Sequence, residues 1–175
     1  GFDLADTKAP EIRGVKVYGL TKDGYRFPDK AISKTAVKSG DDYIITEGLI
    51  TIPSSYLSKT GGIGFAFDVI DRLDGASNQC GMYGGTLIFN NDTIFGQETK
   101  RVPFESTRFV NCHKDYNEYS VNKRKFHKSF KTKENDLPIY TTDGLGVFWT
   151  TPGSLLKVQF VAYDVKGNRS ELKFD

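Results

Sequence analysis

The sequence predicts an all-β protein, a β-sandwich carrying a short helical insertion near residues 114–128. Three observations predict it. Short apolar stretches recur along the chain and are set off by Gly, Asn and Asp turn residues. Aromatic side chains are abundant, 13 Phe and 9 Tyr in 175 residues, which suits a folded β protein and argues against disorder. A helical period shows in one place: Tyr116, Tyr119, Lys123 and Phe126 fall on one face of a 3.6-residue turn.

Taken in order, the elements read as follows. Residues 1–11 form a linker, because Ala9 precedes Pro10 and is pushed to an extended conformation. A single domain spans 12–175. IRGVKVYGL (Ile12–Leu20) alternates as a strand does, and DYIITEGLITI (Asp42–Ile52) is one long strand or a hairpin broken near Gly48. GIGFAFDVIDR (Gly62–Arg72) is a strong strand. TLIFNNDTIFGQ (Thr86–Gln97) has two β-rich halves around Asn90-Asn91-Asp92, a hairpin signal. LGVFWT (Leu145–Thr150) is short and apolar, and LLKVQFVAYD (Leu155–Asp164) is a strand that turns at VKGN and returns through SELKF. Two stretches, IGFAFDVIDRLDGASNQCGMYGGTLIF and VQFVAYDVKGNRSELKF, both run strand, Asp, Gly/Asn-rich turn, strand. An Asp bracing the turn after a buried strand is the habit of immunoglobulin-like sandwiches. The insertion is expected to pack by its two tyrosines and Phe126 and to present NKRK to solvent. Asn111 or Asp115 caps it, with Glu118 three residues after Asp115.

Composition narrows the function. With 24 basic and 22 acidic residues the net charge is +2, too balanced for a dedicated nucleic-acid binder. No apolar run approaches the ~20 residues that span a bilayer. Cys80 and Cys112 fit either a disulfide, which would add roughly 3–4 kcal/mol, or two free thiols.

Five groups of residues carry possible chemistry. In NCHKDYNEY (Asn111–Tyr119), Cys112 and His113 are neighbours, so their side chains diverge. A cysteine-dependent hydrolase would have to pair Cys112 with His127 and a carboxylate. The only histidines are His113 and His127, and neither H-x-H nor H-E-x-x-H occurs, which leaves a zinc hydrolase without its three ligands. Asp68, Asp71, Asp74 and Asn78 in DVIDRLDGASN supply hard oxygens suited to calcium, although the spacing is not that of an EF-hand. Lys123, Arg124 and Lys125 in NKRKFHK form a basic run that could hold an anion, and Trp149 in VFWTT could stack on a sugar.

The order FDLADTKAPEIRGVKVYGL, IGFAFDVIDRLDGASNQCGMY, VPFESTRFVNCHKDYNEY, KRKFHKSF, AYDVKGNRSELKF resembles the β-sandwich region that follows the catalytic domain in lysostaphin/LytM-type zinc metallopeptidases of Gram-negative bacteria. The resemblance covers nearly the whole chain. Its most specific parts are the DRLDG loop and the PFESTRFVN-HKDYNEY segment, where Arg108, Asn111, His113, Asp115 and Tyr116 match the family, while Cys112 stands where a small residue is commoner. The family's zinc is held by H-x-x-x-D and H-x-H. Here the fourth residue after His113 is Asn117 and after His127 it is Lys131, so no catalytic residue carries over. The resemblance implies a non-catalytic accessory domain of an exported, periplasmic or cell-envelope peptidoglycan endopeptidase. Its partners would be the peptidase domain of the same chain and peptidoglycan, with the five matched residues in structural roles. A stand-alone glycan- or peptidoglycan-binding module is the alternative.

Overall fold

The computed structural model describes residues 5–28, 31–57 and 61–175; the first four residues of the expected linker lie outside these. Among the described residues nine strands make up the fold: β1 (Glu11–Thr21), β2 (Ile32–Ser39), β3 (Asp42–Ile45), β4 (Gly61–Ile70), β5 (Gly84–Phe89), β6 (Asp92–Glu98), β7 (Phe126–Lys128), β8 (Val158–Tyr163) and β9 (Arg169–Phe174). Among the described residues helix is confined to α1 (Ser54–Leu57), a 3-10 turn (Phe104–Phe109), α2 (Val110–His113) and α3 (Tyr116–Asn122). The chain is all-β, as expected. No helix among the described residues is long and apolar enough to cross a membrane.

The strands join in the order β6-β5-β8-β9-β3-β2-β1-β4-β7. Every pairing is antiparallel except β3 with β9, where Tyr43 lies opposite Leu172. The sheet curls on itself. Four strands separate β4 from β8 in the ladder, yet the rings of Phe67 on β4 and Phe160 on β8 stack with centroids 3.7 Å apart and planes 4° apart. Phe65 fills the next layer against Phe89 and Phe174 at 5.4 and 5.9 Å. Aromatic pairs of this kind add to the area they bury, which is why so Phe-rich a chain closes here.

β1 and β4 are covered on both faces. Behind the main core a second cluster of Tyr18, Leu20, Ala66, Phe126, Phe130 and Val147 packs on their outer side. The alternation read in IRGVKVYGL does not carry over to burial: β1 is buried at seven successive positions, Gly14–Leu20, Lys16 included.

Several elements depart from the sequence reading. Only Asp42–Ile45 of the stretch to Ile52 is a strand; Gly48 turns at φ +68° and the chain leaves the sheet. LGVFWT forms no strand beyond one bridge, Phe148 to Ile63. β2 is an unanticipated strand, since ISKTAVKS buries only Ala36 and shows no apolar alternation. The insertion is shorter than residues 114–128. Lys123 takes a left-handed conformation at φ +56° and ends α3, and Phe126 begins a strand that pairs with β4. Tyr116 and Tyr119 are exposed instead of packed, because a two-turn helix capped by buried Asp115 turns them outward. The Asn90-Asn91 hairpin forms as read, both residues having positive φ.

Candidate functional site

The segment NCHKDYNEY is seated by Asp115. Its Oδ1 accepts the backbone N–H of Glu118 at 3.4 Å and caps α3, as the sequence predicts. Its Oδ2 accepts the Tyr18 hydroxyl at 2.6 Å, and Lys16 and Arg26 each stand 3.6 Å away. Lys16 also pairs with Glu118, and the Arg26 guanidinium lies 4.3 Å over the Tyr18 ring. Burial works against the Asp115 charge, but the Tyr18 hydroxyl, Arg26 and Lys16 outweigh it and hold the carboxyl below its usual range. Burial, then the bond to Asp115, pushes Tyr18 well above the ordinary phenol value. An ionised Asp115 and a protonated Tyr18 thus lock the insertion onto β1.

Asp68 is fully buried on β4 and takes Arg13 at 2.7 Å, Arg124 at 2.9 Å and the Lys125 N–H at 3.1 Å. A β-bulge between Ile12 and Gly14 sets Arg13 beside it. Gly14 is required there: a Cβ would lie 2.7 Å from the Lys34 carbonyl and 2.9 Å from Arg124 Nη2. Only Arg124 of the basic run is drawn inward, to Asp68; Lys125 Nζ donates to the Gln79 carbonyl and Lys123 Nζ to the Ser120 carbonyl at the surface.

His113 and His127 face each other with ring centroids 5.6 Å apart, and Tyr140 stands 6.0 Å from His113. Both are buried, and His113 Nδ1 and His127 Nε2 have no hydrogen-bond partner. Burial, then the charge of Lys114, lowers His127 to about 3. Burial, then His127, lowers His113 in the same direction. Both rings are neutral at pH 7. Cys112 and Cys80 are exposed free thiols, not bridged.

Of the four residues proposed for calcium, Asp68 is held by two guanidiniums, Asn78 is exposed, and Asp74 accepts the N–H and hydroxyl of Thr7 at 3.2 and 2.9 Å. Asp71 alone enters a carboxylate cluster, and its companions are Asp6 and Asp164, with one oxygen of each within 4.8 Å of the others. The cluster joins the segment before β1, the end of β4 and the β8–β9 turn. Asp164 is fixed by the N–H groups of Lys166 and Asn168 at 2.8 and 2.9 Å and by the Asn168 side-chain amide at 2.6 Å. That amide also donates to the Asp6 carbonyl at 3.0 Å. Asp71 is fixed by a two-bond bridge to Cys80. Asp6 is 9% exposed, and neither of its carboxylate oxygens has a hydrogen-bond partner. Sequence spacing could not place Asp6 or Asp164 beside Asp71.

At one end of the sheet Leu49, Ile52, Leu57, Phe65, Leu155 and Phe174 line an apolar cleft of about 290 Å³. Leu155 and Leu49 are exposed at its rim, and Trp149, also exposed, precedes Thr150 of the lining in sequence. Of the residues matched to the peptidase family, His113 and Asp115 are buried while Arg108, Asn111 and Tyr116 are at the surface. No family model matches this chain, and neither a curated protein nor a solved structure does.

Proposed function

We propose that this chain is a non-catalytic accessory domain of a cell-envelope peptidoglycan endopeptidase of the lysostaphin/LytM type, with an immunoglobulin-like sandwich as its fold. The observation that carries the reading is the use made of NCHKDYNEY. Its most reactive-looking side chains are spent on architecture: Asp115 caps α3 and binds Tyr18, and His113 is a buried neutral ring set edge-on to His127. Two sheet halves meeting through Phe67 and Phe160 support the sandwich. The link to a peptidase rests on the order of sequence stretches. A peptide map of the native gene product tests it. Upstream peptides bearing H-x-x-x-D and H-x-H are the expected result, and a native chain with only an anchor ahead of residue 1 would overturn it.

A second reading, a free-standing glycan-binding module, is favoured by one observation: Leu155, 65% exposed, lines the apolar cleft, and Trp149, 53% exposed, is the sequence neighbour of its lining residue Thr150. Co-sedimentation with purified sacculi separates the two. Under this reading wild type pellets with the sacculi and Trp149→Ala stays in the supernatant; equal pelleting of both removes it.

A further inference from the structure

We propose that Asp6, Asp71 and Asp164 form a calcium-binding site that fastens the segment before β1 to the body of the domain. Three carboxylates converge from parts of the chain 65 or more residues apart in sequence, each with an oxygen within 4.8 Å of the others. That span is what two Ca–O bonds of about 2.4 Å can bridge. The donor set is oxygen only, with no imidazole or thiolate, which selects a hard cation over zinc or copper.

The independent sign is Asp6. The residue is 9% exposed, and both of its carboxylate oxygens are buried and lack a donor. Leaving a carboxylate so placed without a partner is expensive, and proteins resolve it with a cation or a proton. Nothing about the backbone makes the placement accidental. Thr7 is tied to Asp74 on one side and the Asp6 carbonyl to Asn168 on the other, so the carboxylate is aimed inward between two anchored points. The neighbouring arginine turns away: Arg72 pairs with Glu11 at 3.0 Å. Asp71 reflects the crowding, its pKa raised by burial and then by the charges of Asp6 and Asp164. A divalent cation with these three ligands removes the repulsion and joins the chain's first described residues to β4 and the β8–β9 turn.

The 175-residue chain, stripped with chelator and returned to metal-free buffer at pH 7, is titrated with calcium chloride while heat and melting temperature are followed. Saturable binding is expected, with the melting temperature about 5–10 °C higher at a hundredfold excess over Kd. Asp6→Asn and Asp71→Asn should each weaken calcium binding at least tenfold, whereas Asp92→Asn, in the β5–β6 hairpin beside the opposite end of β8, should not. The variants carry a second readout. Without metal, Asp6→Asn should melt above wild type, because it removes repulsion; with calcium the order should reverse. Three results overturn the proposal: identical melting of wild type in calcium and in chelator, a full calcium response in Asp6→Asn, or a melting temperature that ignores calcium and climbs as the pH falls from 7 to 5. The last would assign the cluster to a shared proton. If an asparagine variant does not fold, the wild-type titration alone decides, since absence of saturable heat refutes the site.

Discussion

Protonating His127 should cost this protein stability well before its carboxylates titrate. The folded chain holds His127 at about 3, while an exposed imidazole has the ordinary value of 6.5. The unfolded state therefore binds the extra proton throughout that interval, so stability falls as the pH falls from 6.5 toward 3. At pH 5 the gap corresponds to about 2 kcal/mol from His127 alone. His113 acts in the same direction, since burial and its neighbour His127 keep it neutral too. The charged groups around His127 do not rescue it: Lys114 and Lys125 oppose a further positive charge, and Asp68, which favours it, is already held by Arg13 and Arg124. Asp115 and Glu118 are held below their ordinary values, so what they contribute is lost only below the usual carboxylate range, while Asp71, raised by burial and by Asp6 and Asp164, acts with the opposite sign; comparing His127→Leu with wild type isolates the histidine. Urea denaturation of wild type and His127→Leu at pH 7 and pH 5 measures the effect. Whatever the substitution costs at pH 7, its further loss on going to pH 5 should be smaller than that of wild type by about 2 kcal/mol. Equal losses, or an imidazole resonance of His127 that titrates near 6.5, would refute the reasoning.

Three further outcomes follow from the geometry. Asp68→Asn should destabilise the fold by about 3 kcal/mol in chemical denaturation, because it leaves Arg13 and Arg124 against a buried site without their shared anion. Phe160→Ala, which deletes the ring stacked on Phe67, should cost about 3–5 kcal/mol in the same assay. Asn91→Gly should be neutral or stabilising by roughly 0.5 kcal/mol, read as a small rise in melting temperature, because φ at this position is +76° and glycine adopts it freely.

Local chemistry was legible in the sequence wherever it acts alone. The strands Ile12–Leu20 and Gly62–Arg72 announce themselves by apolar content, the Asn90-Asn91 hairpin by residues that tolerate positive φ, and the Asp115 cap by a short polar side chain ahead of a helix. What the sequence left open is whatever depends on partners distant in the chain. The weakly patterned ISKTAVKS is a strand because β1 and β3 flank it, not because of its own residues. Phe126 leaves the helical period because Asp68, on another strand, draws in Arg124 and the Lys125 amide and aligns Phe126 with β4. Asp68 and Asp71, three residues apart, look like companions for one cation, yet Asp68 belongs to two arginines and Asp71 to Asp6 and Asp164. Spacing along the chain fixes only which side chains share a turn or a face. Which charges meet is decided by the curl of the sheet, because that alone brings the segment before β1, the end of β4 and the β8–β9 turn within one ion's reach.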